Sequence, residues 1–300
     1  MTPLVVDVIR EAPALERLGP EWQALLARSS SDRLFSTFEW LHTWWQHLGA
    51  GRRLCVRTVR RGGELVAIAP FVMRAATTTA HPAFGCIELL GAGAVGSDYG
   101  DLVVARDCEA ECLEALARHL ASEHHVFAFR RLRDESCLLG TLCRRLGQQR
   151  FIVETRPDEL SPYVRFESRS FEGYLATLSH GHRHAFRRYR RALERKHEVA
   201  FDTVRSEAER GPALASFLAL HAARWRARGD VGAFARPELL AFHEAMSALA
   251  LRRGWLRLQL LRLDGRAVAA VYGFRYGDVF YYYQTGFDPA FAADSVGLVA

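Results

Sequence analysis

Two segments about two hundred residues apart carry the same hairpin signature. Residues 54–72 read LCVRTVRRGGELVAIAPFV and residues 256–274 read LRLQLLRLDGRAVAAVYGF. In each, two strand-like apolar runs flank a two-residue turn, Gly62-Gly63 or Asp264-Gly265, which is a strong short-range signal for a β-hairpin. Solenoid periods are only ~20–50 residues, so the repeat predicts a duplicated domain and not a repeat array. Two unrelated hairpins of similar pattern are the alternative.

The length of the chain agrees with a duplication. Its 300 residues are enough for two domains of roughly 150 residues each. Hydrophobic residues make up 49% of the chain and charged residues 25%, so each half can bury a core. Residues 155–162, TRPDELSP, carry two prolines and no apolar period, which predicts domains at 1–160 and 161–300.

Hydrophobic periodicity and turn residues predict a mixed α/β fold in both halves. The predicted helices cover 36–48, with Ser36 as the N-cap, then 109–121, 138–146, 171–178, 182–196, 214–228 and 237–253. Besides the hairpins, strands are predicted at 126–132 and 279–284. The sequence stops at DSVGLVA, which has the pattern of a first helical turn, so the second domain is expected to be incomplete at its C-terminus.

Several classes of protein are disfavoured by composition. No signal peptide pattern opens the chain and no apolar run reaches ~20 residues, which predicts a cytoplasmic protein without a transmembrane segment. The six cysteines form no CxxC pair, and His180, His182 and His184 alternate at a spacing of two, which on a helix points them apart, so neither disulfides nor a metal site is expected. The net charge of +6 is carried almost entirely by arginine, and much of it lies between Arg183 and Lys196.

Five segments together resemble a known family. They are FSTFEWLHTWW (35–45), GSDYGDLVV (96–104), SHGHRHAFRRYRRALER (179–195), LHAARWRARGDVGAFARPELLAFH (220–243) and YYYQTGFDPAFAADSVG (281–297). The chain resembles the GNAT acyltransferases, in particular the group related to CelD of cellulose biosynthesis and to the FemAB peptidyltransferases. The order and spacing of the segments carry the resemblance, which spans nearly the whole chain and implies tandem GNAT-like domains. It departs in lacking the last elements of the second domain and in carrying His and Arg near Ser179 where the family often has lysine.

The resemblance implies a GNAT-type acyltransferase. It would transfer an acetyl or acyl group from acyl-CoA, without a metal, to an amine or hydroxyl of a sugar, amino sugar or cell-envelope or exopolysaccharide precursor. One alternative is a FemAB-like peptidyltransferase that uses aminoacyl-tRNA, although no segment sustains the heptads of a coiled-coil arm. Another is a non-catalytic scaffold subunit of polysaccharide synthesis. DNA is not an expected partner, and the oligomeric state is not indicated.

The donor site is predicted at Ser295, Val296 and Gly297. This turn follows a strand and opens a helix, where exposed amides and a glycine can approach a pyrophosphate. Arg183 and Arg187, at the start of the basic helix, are candidate ligands for an anionic substrate. A solvated amphipathic helix explains the same arginines.

A second group of candidates lies on the helix predicted at 214–228. His221, Arg224 and Trp225 fall on one flank, because residues three and four apart are neighbours on a helix. His221 is a candidate general base, and Arg224 and Trp225 are candidate substrate ligands for a carboxylate or phosphate. A histidine packed in the core is the alternative.

The strand YYYQ supplies two candidates. Tyr281 and Tyr283 share one face of a regular strand, and Tyr283 is the candidate proton donor to the leaving thiolate. Gln284, the next residue, is a candidate substrate ligand. Aromatic packing on the strand explains the run of tyrosines equally well.

In the first half, Asp98 and Tyr99 lie in a glycine-rich turn before a strand. Asp98 is a candidate general base or ligand for an acceptor amine, and Tyr99 a candidate substrate ligand, if they face the cleft between the halves. Capping of the turn by the aspartate is the alternative.

Overall fold

The computed structural model describes residues 2–74, 85–123, 125–133, 137–149, 151–158, 160–167 and 170–300. The chain divides into two compact units, Met1–Glu159 and Leu160–Ala300. Both units combine helices with β-sheet, which confirms the mixed α/β class.

The first unit contains two four-stranded sheets. Its strands are β1 (Leu4–Ile9), β2 (Arg52–Leu54), β3 (Val56–Arg61), β4 (Glu64–Ala69), β5 (Phe71–Arg74), β6 (Cys86–Leu89), β7 (Val103–Val104) and β8 (Val126–Phe127). One sheet has the order β1-β3-β4-β7 and the other β2-β5-β6-β8. Only β6 and β8 pair in parallel; the other neighbours in the described sheets are antiparallel. Strand β8 is shorter than the strand predicted at 126–132.

Five helices accompany these sheets in the described part of the first unit. They are α1 (Ala12–Arg17), α2 (Gly19–Ala27), α3 (Phe38–Leu48), α4 (Glu109–Ala121) and α5 (Leu138–Gly147). The prediction that Ser36 caps α3 is wrong. Thr37 is the N-cap, and its hydroxyl accepts a hydrogen bond from the Trp40 amide, while Ser36 lies in a preceding 3₁₀ turn.

The described residues of the second unit form one antiparallel sheet between two helical layers. Its elements are α6 (Phe171–Thr177), α7 (His180–Lys196), β9 (Val199–Thr203), α8 (Glu207–Arg226), α9 (Pro237–Arg252), β10 (Leu256–Leu263), β11 (Arg266–Tyr276), β12 (Val279–Phe287) and α10 (Val296–Val299). The sheet order is β12-β11-β10-β9. On one face Tyr272 packs against Phe217 of α8. On the other, Leu261 forms a core with Leu193 of α7 and Val296 of α10. None of the helices among the described residues combines the length and apolar character needed to cross a membrane.

The two repeated segments form equivalent hairpins, β3–β4 and β10–β11. The turn residues all have positive φ: 58° and 89° at Gly62-Gly63, and 51° and 79° at Asp264-Gly265. Both first strands have a register shift at the same place in the repeat, at Val59/Arg60 and at Leu261/Arg262. The match therefore extends from the sequence pattern to the turn and the β-irregularity.

One side-chain contact of the turn is repeated as well. Arg60 Nη1 donates to the Gly63 carbonyl at 2.8 Å, and Arg262 Nη1 donates to the Gly265 carbonyl at 2.9 Å. Two unrelated hairpins would have no reason to share a bulge and an arginine contact at the same offset. The detail favours duplication.

Candidate active site

Helix α8 approaches β12 very closely, and this contact builds the candidate site. The helix starts at a capping box formed by Ser206 and Glu209. A Cβ placed on Gly286 of β12 would lie 2.7 Å from the carbonyl carbon of Leu220 and 2.9 Å from Cα of His221. Only glycine permits this distance, and it brings the flank of α8 that carries the predicted residues onto the strand.

His221 is buried, with 1% of its surface exposed. The Trp225 indole Nε1–H donates to its Nε2 at 2.9 Å, so the hydrogen of the neutral ring lies on Nδ1. Burial lowers the pKa of His221, and the interaction with the Gln284 side chain opposes this in part. With Nε2 already accepting a hydrogen bond, the ring is arranged to position Trp225 and Gln284.

Arg224 is half-buried beside the same strand. Its Nη1 donates to the Thr285 carbonyl at 3.2 Å, and its guanidinium lies 5.4 Å from the ring centroid of Phe287. The buried Nε has no hydrogen-bond partner. Across the described ranges no carboxylate forms an ion pair with Arg224, so its charge is available to an anionic ligand.

Tyr283 lies in a β-bulge that the sequence did not reveal. Tyr272 of β11 pairs with Gln284, while the next residue, Gly273, pairs with Tyr282, so Tyr283 is the extra residue. Regular alternation would send Tyr283 and Gln284 to opposite faces. The bulge turns both toward the helices, where Gln284 reaches His221 on α8 and Tyr283 reaches α9.

The partner of Tyr283 is His243, which sequence reasoning did not single out. The Tyr283 hydroxyl lies 3.1 Å from His243 Nε2, and the Tyr272 hydroxyl lies 3.3 Å from His243 Nδ1. His243 is 2% exposed, and burial lowers its pKa to about 3, so the ring is neutral near pH 7. In the sequence it occupies an apolar position of α9 next to Phe242, a pattern that indicates only core packing.

The depressed pKa of His243 predicts a pH dependence of stability. Its folded-state pKa of about 3 lies below the ordinary value of 6.5, so the unfolded chain binds the extra proton between these values. This contribution is complete above pH 6.5 and is lost as the pH falls. We expect the wild type to lose about 2 kcal/mol more free energy of unfolding between pH 7 and pH 5 than His243→Gln does. Urea unfolding at the two pH values measures the difference, and parallel losses would contradict it.

The Ser295 turn differs from the predicted N-cap. Ser295 has left-handed backbone angles (φ 56°, ψ 36°), its side chain does not cap α10, and its amide donates to the Ala292 carbonyl at 3.1 Å. Val296 is buried in the core. Gly297 is exposed, and a Cβ there would lie 3.2 Å from the Phe287 ring. Within the described chain, the amides of Val296 and Gly297 donate to no protein acceptor, and because Val296 is fully buried only the exposed Gly297 offers an accessible amide of the predicted cradle.

The basic helix α7 borders this turn. Lys196 Nζ pairs with Asp294 at 2.8 Å, next to Ser295. Tyr189 hydrogen-bonds to Ser295 and Arg188, which lowers its pKa, and the Arg188 guanidinium lies 4.9 Å from the Tyr189 ring centroid. Arg188 therefore approaches the turn through Tyr189, a contact that the sequence pattern does not reveal.

Arg183 and Arg187, which the sequence predicted as substrate ligands, contact α6 and not the Ser295 turn. Arg187 pairs with Glu172 of α6 at 2.8 Å, and Arg183 Nη1 donates to the Ala176 carbonyl at 3.4 Å. Both side chains therefore tie α7 to α6. Their predicted role as substrate ligands would require these contacts to be exchanged.

Asp98 and Tyr99 belong to the first unit. Asp98 lies 3.8 Å from Arg131 Nη1. Tyr99 has a positive φ of 58°, and its amide donates to the carbonyl of Arg131, whose own φ is 56°. Non-glycine residues in this conformation store strain and are enriched at functional sites, so the turn stays a candidate.

Comparison with known proteins gives the class of domain that the second unit resembles. Residues 180–300 match the family model described as "Acetyltransferase (GNAT) domain". The crystal structure of FemX superposes with a TM-score of 0.62 at 13% identity, covering 94% of this chain and 82% of FemX. A conserved protein of unknown function from Bacteroides thetaiotaomicron VPI-5482 gives a TM-score of 0.43 at 15% identity over 100% and 86% of the chains, too low to support an argument. No curated protein sequence gives a significant match.

These findings confirm the predicted fold class of tandem GNAT-like domains, and the domain match supports the similarity to the GNAT group. Within the second unit, residues 180–300 are similar to a GNAT-type acetyltransferase domain. The likeness to FemX concerns the fold alone. The finer assignment to the CelD-like branch stays a prediction.

Proposed function

We propose that the second unit transfers an acyl group from acyl-CoA to an amine or hydroxyl of a sugar, amino sugar or cell-envelope precursor. The observation that carries this proposal is the bulge in β12, within the segment that matches the GNAT domain. It turns the Tyr283 hydroxyl toward α9, and the adjoining helix α8 carries Arg224, a half-buried arginine without an ion-pair partner in the described ranges. This combination supplies a proton donor on β12 and an anion ligand on the helix packed against that strand.

Ser295, Val296 and Gly297 are the proposed site for the donor's phosphates. The amides of Val296 and Gly297 have no protein acceptor in the described structure, and Gly297 is exposed. We add Arg188 as a phosphate ligand, because it reaches the turn through Tyr189. The carboxylate of Asp294 would oppose a phosphate, but Lys196 neutralises it.

In the proposed reaction, the acceptor nitrogen or oxygen attacks the thioester carbonyl carbon. The new bond to the acyl carbon forms, the carbon–sulfur bond breaks, and the sulfur leaves with the electron pair. Tyr283 donates its proton to that sulfur, and the proton of the acceptor returns to the tyrosinate or to solvent. Such a transfer needs no metal, and the described residues contain no group of three or more metal-ligating side chains.

The neighbours of Tyr283 have binding and positioning roles in this proposal. Arg224 and Trp225 bind an anionic or apolar part of the substrate, and Gln284 orients it. His221 holds Trp225 and Gln284 in place. As a general base it would first have to release the indole of Trp225. Asp98 and Tyr99 are proposed to recognise the acceptor.

Transfer of an aminoacyl group from charged tRNA is the second candidate function. Two observations favour it: the fold likeness to FemX and the charge on α7. On the solvent side of that helix, Arg191 and Arg195 form no ion pair with any described residue. Such cations attract a phosphate backbone.

Titration calorimetry with acetyl-CoA and desulfo-CoA tests the proposed donor. We expect binding in the micromolar range, weakened about 100-fold or more by Gly297→Glu, because the added carboxylate would sit among the phosphates. Gly211→Glu is the matched control, since a side chain at Gly211 on α8 meets no atom within 4 Å. Gly297→Ala separates the size of the side chain from its charge.

If the folded protein showed no binding at millimolar acetyl-CoA, the proposal that acyl-CoA is the donor would be wrong. The aminoacyl-tRNA reading would then be tested by gel shift with charged and uncharged tRNA. A protein that binds neither ligand would fit a non-catalytic scaffold subunit.

A further inference from the structure

A buried chain of hydrogen bonds runs from Tyr272 through His243 to Tyr283. Tyr272 and His243 are 0% and 2% exposed, whereas Tyr283 is half-buried at the outer end of the chain. The two links measure 3.3 Å and 3.1 Å. Aromatic rings surround the inner end: Phe217 lies 5.2 Å and Phe274 5.1 Å from Tyr272 between centroids. The inner end, at Tyr272, is therefore buried among aromatic rings; the charges of Arg210 and Glu244 act on Tyr272 without a hydrogen bond to its hydroxyl.

The hydrogen bond between Tyr272 and His243 determines which group donates at each link of this chain of hydrogen bonds. In the described structure, His243 Nδ1 is the only hydrogen-bond partner of the Tyr272 hydroxyl. If Nδ1 carried the ring hydrogen, Tyr272 would accept it and its own O–H would have no acceptor at a fully buried position. A buried donor without an acceptor is costly. Tyr272 therefore donates to Nδ1.

The rest of the chain follows from the chemistry of neutral imidazole. A neutral ring has one N–H and one lone pair, so accepting at Nδ1 places the hydrogen on Nε2. Burial depresses the pKa of His243 to about 3, so the doubly protonated ring is not populated near neutral pH. Nε2–H then donates to the oxygen of Tyr283, which keeps its own hydrogen for donation to another acceptor.

We propose that His243 is a positioning residue that fixes the Tyr283 hydroxyl with its oxygen toward α9 and its hydrogen directed away from it. The direction of the chain is a property of this fold and does not depend on the reaction. Its value for acyl transfer rests on the proposed function. There, a hydrogen bond received from Nε2–H stabilises the tyrosinate that remains after proton donation.

The bulge in β12 contributes to the same positioning of Tyr283. Without the extra residue, Tyr283 and Gln284 would alternate across the sheet, and only one of them could face the helices. With it, His243 on α9 holds Tyr283 while His221 on α8 holds Gln284. Two histidines thus orient two consecutive polar side chains on one face. The ring of Phe234 lies between them, 4.7 Å from His221 and 4.9 Å from His243 between centroids.

Long-range ¹H–¹⁵N spectra of the full chain labelled in histidine test the direction, because they report which ring nitrogen carries the hydrogen. His243→Gln assigns the resonances. We expect the Nε2–H form of His243 at pH 7, a changed Nε2 signal in Tyr283→Phe, and a changed Nδ1 signal in Tyr272→Phe. The Nδ1–H form would overturn the proposal. So would a Tyr283→Phe variant whose His243 signals match the wild type.

A kinetic measurement tests the role in catalysis. Tyr272→Phe leaves Tyr283 and the donor turn intact, so we expect about a tenfold lower kcat with an unchanged Kd for acetyl-CoA. An unchanged kcat would show that His243 contributes to packing and does not position Tyr283 for catalysis. Failure of acetyl-CoA to bind the wild type would reject the proposed donor but leave the spectroscopic result to decide the direction of the chain.

Discussion

Gly286→Ala is expected to destabilise the second unit by roughly 3 kcal/mol, the upper range for forcing extra atoms into a packed interior. The added Cβ meets the backbone of α8 at Leu220 and His221 and not a movable side-chain end. Relief requires α8 to move away from β12, which also disturbs the contacts of His221 and Arg224. Urea unfolding followed by circular dichroism measures the loss.

Gly211→Ala provides the matched control for this substitution. Gly211 lies within α8, and a Cβ there meets no atom within 4 Å. We expect a gain of up to about 1 kcal/mol, because alanine favours a helix over glycine. If Gly286→Ala unfolded at the wild-type urea concentration, the close approach of α8 and β12 would not hold in solution.

The features read correctly from the sequence depend on local rules. The Gly62-Gly63 and Asp264-Gly265 turns follow because only glycine, asparagine and aspartate readily adopt positive φ at those positions. Helix α4 was predicted at its observed bounds, since its acidic first turn and apolar stripe both lie within the segment. Local chemistry and tertiary structure agree in these elements.

The site was harder to predict because its geometry comes from contacts between distant segments. Nothing in YYYQ marks Tyr283 as the bulged residue; the shift is set by pairing with Tyr272 and Gly273 across the hairpin. Likewise His243 occupies a core position by pattern. Its role depends on two tyrosine hydroxyls that lie 29 and 40 residues further along the chain.

The contacts of individual arginines on the basic helix α7 could not be predicted from the sequence either. Its periodicity separates an apolar stripe from an arginine-rich face, but the periodicity does not say which arginine meets which partner. Arg183 and Arg187 were favoured because they open the helix, and both contact α6. Arg188, one residue later, points to Tyr189 and the Ser295 turn instead.

Loss of the Tyr283 hydroxyl is expected to have the largest effect on catalysis. Tyr283→Phe keeps the ring packing against Tyr272 and Phe274 and removes only the proposed proton donor. General acid catalysis contributes about 100- to 10,000-fold, so we expect kcat to fall at least about 100-fold with little change in the KM for acetyl-CoA. Release of free CoA, measured with amino sugars as trial acceptors, provides the assay.

Tyr282→Phe is the control that separates this role from general effects on the strand. Tyr282 is the neighbouring residue, also a tyrosine, but 59% exposed. Its loss should change kcat by no more than about twofold, as for an ordinary surface substitution. Equal losses of kcat in the two variants would indicate that each substitution disturbs β12. The Tyr283 hydroxyl would then have no specific role in the reaction. A fully active Tyr283→Phe variant would show that Tyr283 takes no part in the reaction. The bulge would then serve only to orient Gln284.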